Sequence, residues 1–191
     1  MRIIGGTAGK RKIYVPARGG VRPTTDRVKE ALFQILPDLN GKTFLDLYAG
    51  AGSVGLEAIS RGVKRGVFVE RDRRLADAIR VNLERLGFLS RAEVWGRDAA
   101  AALAFFGVRG DRFDVIFADP PYEQGIATSI LRKAASVGVL AEAGLFVLQH
   151  SRREDLTEDG EGRFDLADRR TYGDTVLSFF TAPERGEGLV L

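Results

Sequence analysis

Cysteine is absent from the 191 residues, and histidine, tryptophan and methionine occur once each. Without thiols there is neither a disulfide framework nor a thiolate metal site, and one histidine is too few for a zinc site. No metal is expected, and a reducing, cytoplasmic compartment suits the composition. Long hydrophobic runs are missing too. The longest near-apolar stretch, Ala99 to Val108, is too short to cross a bilayer, and the basic N-terminus lacks the apolar segment of a secretory signal. A membrane partner is therefore not expected. Internal repeats and low-complexity tracts are also lacking, and nothing in the pattern demands an oligomer, so a monomer is expected.

What is present is ordinary for a globular protein: 45% hydrophobic and 29% charged residues, on a chain long enough for one α/β domain with a small appendage. Charge is unevenly placed. Residues 1–30 carry Arg2, Lys10, Arg11, Lys12, Arg18, Arg22, Arg27 and Lys29 against Asp26 and Glu30, whereas the rest of the chain is slightly acidic. A basic arm on a near-neutral body points to nucleic acid, the alternative being a merely solvated surface.

Short strand-like pieces at 2–5 and 12–16 flank Gly5, Gly6 and Gly9 and predict a hairpin. Thr25 is placed to cap a helix in which Val28, Leu32, Ile35 and Leu36 share one face and Pro37 marks the end. Strands at 43–48, 66–70, 93–95, 113–118 and 145–149 then alternate with helices at 53–61, 72–86, 98–106 and 126–136. Strand-like 163–167 and 176–181 close the chain with no helix between them. The expected fold is a seven-stranded, mostly parallel α/β sheet with an antiparallel edge hairpin and helices on both faces. Residues 1–40 would form a basic hairpin-and-helix extension and 41–191 the catalytic domain. Ligands of such sheets bind beyond the strand carboxyl ends.

Two motifs sit at such ends. The first, Asp46-Leu-Tyr48-Ala-Gly50-Ala-Gly52-Ser-Val-Gly55, follows strand one. Its glycines permit tight turns and close ligand approach, and Glu70, at the end of strand two, is placed to accept hydrogen bonds from ribose hydroxyls. The spacing also fits a dinucleotide-dependent oxidoreductase. Asp46 tilts the reading toward S-adenosyl-L-methionine, because a carboxylate there repels a pyrophosphate but attracts a sulfonium and an ammonium. Asp98, after strand three, is placed either to take an adenine amino group or to cap the next helix.

The second motif, Asp119-Pro120-Pro121-Tyr122, ends strand four. An exocyclic amine on a purine is a weak nucleophile, its lone pair being delocalised into the ring. Acceptors on its hydrogens localise that pair: the Asp119 carboxylate and a backbone carbonyl fixed by the two prolines, while Tyr122 offers a stacking face. The competing reading is a Pro-Pro strand terminator with a capping aspartate. Trp95, Phe105 and Phe106 read as packing residues, and His150 as structural or merely exposed, because this chemistry needs no group titrating near neutrality.

Together with Met1-Arg-Ile-Ile-Gly-Gly6 and Arg22-Pro-Thr-Thr-Asp-Arg-Val-Lys-Glu-Ala-Leu-Phe33, the motifs Leu45–Gly52, Val69–Asp72 and Asp119–Tyr122 resemble the bacterial small-subunit (16S) ribosomal RNA guanine-N2 methyltransferase family over nearly the whole chain. The resemblance implies a class I S-adenosylmethionine-dependent methyltransferase fold. It also implies methyl transfer to a guanine N2 amino group of ribosomal RNA, in an assembling or assembled 30S particle. By the same resemblance, Asp46, Tyr48, Gly50, Gly52, Glu70, Arg71, Asp98 and Ala99 line the cofactor, and Asp119, Pro120, Pro121 and Tyr122 hold the base. Lys10, Arg11, Lys12, Arg18, Arg22, Thr24, Thr25 and Arg27 face RNA. Gln149-His150-Ser151 departs from the acidic residues expected there. A DNA adenine-N6 methyltransferase shares Asp-Pro-Pro-Tyr but usually carries a recognition region for which this chain has little room. A non-catalytic RNA-binding relative would show damaged motifs.

Overall fold

The computed structural model describes residues 1–16, 26–122, 125–154, 156 and 164–182. Five helices, α1 (Asp26–Ile35), α2 (Ser53–Ser60), α3 (Arg73–Leu86), α4 (Ala99–Arg109) and α5 (Ile126–Val137), accompany seven strands. The strands are β1 (Thr43–Leu47), β2 (Arg65–Val69), β3 (Ala92–Trp95), β4 (Phe113–Ala118), β5 (Leu140–Ser151), β6 (Asp165–Tyr172) and β7 (Thr175–Thr181). They form one sheet in the order β3-β2-β1-β4-β5-β7-β6. The first five are parallel, and β7 pairs antiparallel with both β5 and β6.

Local signals set most of these boundaries. Asp72 caps α3 by accepting from Arg74 N, and Gly87, at φ +74°, ends it with its N–H on the carbonyls of Leu83 and Glu84. Gly110 does the same for α4, which runs three residues beyond the expected end. The expected edge hairpin is present, with its second strand inserted against β5 and its first left as the edge. β6 is longer than expected and mostly exposed. Its polar sequence gives little period-two signal, so pairing with β7, rather than patterning, makes it a strand.

Alternation along the strands produces two cores. Phe44, Phe68, Val115, Phe117, Val147, Leu177 and Phe179 pack on one face under α1, α2 and α3. Leu45, Leu47, Val67, Val69, Ile116, Phe146 and Leu148 pack on the other under α4 and α5. Each such side chain contributes roughly 1.5–3 kcal/mol by leaving water. Ile3, Ala8 and Ile13 belong to the first core, so the N-terminal segment is built into the domain. Its expected hairpin is reduced to an isolated bridge between Arg2 and Lys12 around a 3₁₀ turn at Gly6–Ala8. The segment lies against α2, where a Cβ on Gly6 would come within 2.0 Å of the Ser60 carbonyl oxygen. Docking on that helix replaces ladder pairing. Phe106 is buried as expected, but Phe105 is 38% exposed, tilted against Trp95 with ring centroids 5.1 Å apart at the sheet's β3 edge, where no further strand among the described residues covers it.

Candidate active site

Strand β1 delivers its chain into a turn with three left-handed residues, Tyr48 (φ +59°), Gly50 (φ +57°) and Gly52 (φ +85°). Tyr48 is the one bearing a side chain, and a non-glycine residue held there stores on the order of 1–3 kcal/mol. Gly55 serves close packing instead: a Cβ there would lie 2.3 Å from the Phe68 ring and 3.0 Å from Asp46 Oδ2. Its absence lets α2 settle onto the sheet.

Two of the three acids expected at the cofactor, Asp46 and Glu70, also hold this loop. Asp46 Oδ2 accepts from Gly55 N at 2.8 Å, and Glu70 accepts from Gly50 N through Oε2 and from Asp72 N through Oε1, each at 2.8 Å. A carboxylate has about four acceptor positions, so these bonds orient the acids and leave capacity for a ligand. Asp46 is only 2% exposed. Burial pushes its carboxyl up to about 8, Gly55 N–H opposes this, and the nearby Asp119 and Glu70 charges add to it. Three carboxyl groups gathered at low solvent access favour a cationic ligand.

Tyr48, Asp98 and Arg71 meet at the ends of β1, β2 and β3. The Tyr48 phenol is pushed up to about 12, chiefly by burial and then by Asp98, with Arg71 opposing. Asp98 is exposed and caps α4, accepting from Ala100 N at 2.9 Å and Ala101 N at 3.1 Å, while Ala99 is buried behind it. The capping role is therefore realised, and the remaining lone pairs of Asp98 face solvent beside Tyr48. Asp119 follows β4 half-buried, Pro120 is buried, Pro121 is exposed, and Tyr122 is 38% exposed.

His150 is fully buried. Its Nδ1 lies 2.9 Å from the Ser151 carbonyl and its Nε2 2.9 Å from Ser178 Oγ. The carbonyl can only accept, so Nδ1 carries the proton and Nε2 accepts from the serine hydroxyl. Burial lowers its pKa, outweighing the Ser151 carbonyl, which raises it, and the residue is structural.

Arg18, Arg22, Thr24 and Thr25 lie outside the described residues. The remaining RNA candidates, Lys10, Arg11, Lys12 and Arg27, are spread along the N-terminal segment and the start of α1. Lys12 pairs with Arg2, whose carbonyl is held by Lys29 beside Ser53 at the start of α2, whereas Ile4 and Gly5 contact Glu57 in mid-α2 and Ala8 contacts Ser60 at its C-terminal end, setting the turn at Lys10 and Arg11 toward that end. Arg11 donates there to the Arg85 carbonyl at the end of α3. Arg27 is exposed in the first turn of α1.

A buried polar network escaped sequence reasoning. Lys29 Nζ is inaccessible, 2.6 Å from the Arg2 carbonyl, 3.1 Å from Ser53 Oγ and 3.8 Å from Glu57 Oε2. Glu57 accepts from Ile4 N at 2.6 Å, Gly5 N at 2.8 Å and Arg61 Nε at 2.8 Å. Asn82 holds both backbone groups of Tyr14 and reaches the Ala51 carbonyl inside the glycine loop. The N-terminal segment is thus pinned to the helix and loop of the cofactor end. One signal was available: Lys29 stands at helical spacing with Leu32, Phe33 and Leu36, on the apolar stripe itself. Among the described residues no cluster of His, Cys, Asp or Glu could hold a metal ion, and no helix is long and apolar enough to cross a membrane.

Comparison with known proteins agrees with this arrangement. The family model described as conserved hypothetical protein 95 matches residues 1–181. Ribosomal RNA small subunit methyltransferase D of Escherichia coli is 35% identical over 188 residues, covering 98% of this chain and 92% of that protein. The solved structure of the Thermus thermophilus hypothetical protein TTHA0928 superposes with TM-score 0.82 at 33% identity, covering 95% of this chain and 99% of that one. The yhhF protein of Escherichia coli gives TM-score 0.83 at 30% identity, with 96% and 98% covered. Likeness over nearly the whole length has one meaning: the chain belongs to the conserved hypothetical protein 95 family, the family of ribosomal RNA small subunit methyltransferase D.

Proposed function

We propose that this protein methylates the exocyclic N2 amino group of a guanine in small-subunit ribosomal RNA, acting as a monomer on the assembling or assembled particle. The observation that carries the reading is the convergence of Asp119-Pro120-Pro121-Tyr122 with buried Asp46 and Glu70 at the carboxyl ends of adjacent strands. Three acids and a glycine turn fit S-adenosylmethionine, which supplies an electrophilic methyl group. Asp46 faces the cationic part, Glu70 the ribose, and Asp98 with Tyr48 and Arg71 the adenine end. Asp119 and the Pro120 carbonyl accept the two amino hydrogens, steering the nitrogen lone pair toward the methyl and stabilising positive charge as it develops. The amine then loses one proton, with the Asp119 carboxylate as its first acceptor. Tyr122, partly exposed, gives the base a face to stack on. The names of the relatives support ribosomal RNA as substrate.

The test is transfer of labelled methyl from S-adenosylmethionine to small ribosomal subunits, naked ribosomal RNA and duplex DNA, with nucleoside analysis. N2-methylguanine in ribosomal RNA is expected. N6-methyladenine in DNA, or no transfer, would overturn the proposal.

A further inference from the structure

Gln149 is a buried side chain that neither the fold nor the chemistry above employs. It is 5% exposed, and its carboxamide oxygen has no hydrogen-bond partner among the described residues. Buried acceptors are ordinarily satisfied, and an unmet one is retained where something else supplies the donor. Its backbone lies within β5, in register with Leu177 of β7, so the side chain is held on rigid structure.

Its place in the sheet identifies the donor. Phe117 of β4 is in register with Asp46 of β1 on one side and Val147 of β5 on the other, and these positions share the face covered by α1. Side chains two residues further along return to that face. Asp119 and Gln149 are the next residues after the last paired positions, Ala118 and Leu148, so continuing the register sets them on neighbouring strand ends, with Asp46, which feels the Asp119 charge, one row behind. Ser178 satisfies His150, on the opposite side of the strand, so the orphaned group is specific to the face of the catalytic aspartate.

We infer that Gln149 is a substrate-contacting specificity residue, whose carboxamide oxygen accepts the N1–H of the guanine while Asp119 holds the N2 amino group. This rests on the proposed guanine-N2 reaction. Guanine presents N1–H and N2–H as neighbouring donors on one edge, matching two acceptors from neighbouring strands. Adenine carries a lone pair at N1, which an acceptor at that position repels.

The experiment compares the wild type with Gln149→Leu and Gln149→Glu on small ribosomal subunits. It measures kcat/KM, S-adenosylmethionine affinity by calorimetry, thermal midpoint and the methylated nucleoside. Gln149→Leu is expected to lose about tenfold or more in kcat/KM with cofactor affinity unchanged and no loss of thermal stability, since it removes an unsatisfied group. Gln149→Glu keeps an acceptor and should hold activity within about threefold of the wild type. Full activity in Gln149→Leu, or a loss that falls equally on stability and cofactor affinity, overturns the assignment. So does an inactive Gln149→Glu beside an active Gln149→Leu. The wild-type product tests the underlying reaction separately. A product other than N2-methylguanine removes the premise, whereas N2-methylguanine with indifferent variants refutes Gln149 alone.

Discussion

Asp46 is the residue at which burial and charge oppose each other most directly. Its carboxyl pKa stands at about 8 in the folded chain, against an ordinary value of 3.8. A raised acid keeps its proton in the fold while the unfolded chain ionises, so its stability contribution is present below pH 4 and is lost as pH rises through 8. A cationic ligand acts in the opposite direction, because it favours the carboxylate. S-adenosylmethionine affinity is therefore expected to rise between pH 6 and about 8 and then level off, and Asp46→Asn should abolish the rise. Calorimetry at four pH values checks this, and a flat wild-type profile would refute it. Asp119 and Glu70 divide differently between chemistry and binding. Asp119→Ala should lower kcat by roughly two orders of magnitude or more while leaving cofactor affinity nearly intact. Glu70→Ala should chiefly weaken cofactor binding, because it removes the proposed ribose acceptor and also frees Gly50 N and Asp72 N. Equal affinity in Glu70→Ala would count against both roles.

Helix α2 is the element through which the parts of the site are joined. Its first turn follows the glycine loop, its middle carries Glu57, and its last turn holds the N-terminal segment through Ser60. Close contact with β2 depends on Gly55, where an added methyl would push into Phe68 and Asp46. Gly55→Ala should cost about 1–3 kcal/mol by overpacking, read from urea unfolding, and should weaken cofactor binding as the loop shifts. Unchanged stability would mean that Phe68 yields without cost. The helix is legible in the sequence as an apolar stretch after a glycine turn. The pairing of Glu57 with Arg61, four residues on, is legible too, but its buried partner Lys29 is not, since it lies 28 positions away.

At the scale of the whole molecule, the N-terminal segment runs along α2, from Lys29 and Ser53 at its start to Ser60 at its end. Contact of RNA with Lys10, Arg11 and Lys12 as well as Asp119 would require a footprint along the height of the sheet. Replacing all three by glutamine should weaken RNA binding, lower the slope of log affinity against log salt by about 2–3, and leave kcat unchanged at saturation. If affinity and slope are both unmoved, these side chains are only a solvated turn, and recognition belongs to other parts of the surface.

Much of the architecture was readable beforehand because it depends on physics acting within about ten residues. Period-two and helical patterning, the Asp72 cap and the Gly87 stop placed the alternating elements. Glycine spacing and Asp-Pro-Pro-Tyr placed both motifs at strand ends. Long-range partners decided the rest. Whether Lys29 is exposed or buried depends on Arg2, Ser53 and Glu57, none of which its own helix contains. Phe105 looks like core from its neighbours, yet the sheet ends beside it. Gln149 reads as a polar strand end until register sets it beside Asp119 with its oxygen unmatched. Sequence periodicity determines which face a side chain takes; only the assembled fold decides what meets it there, because burial and hydrogen bonding are settled between segments distant in the chain.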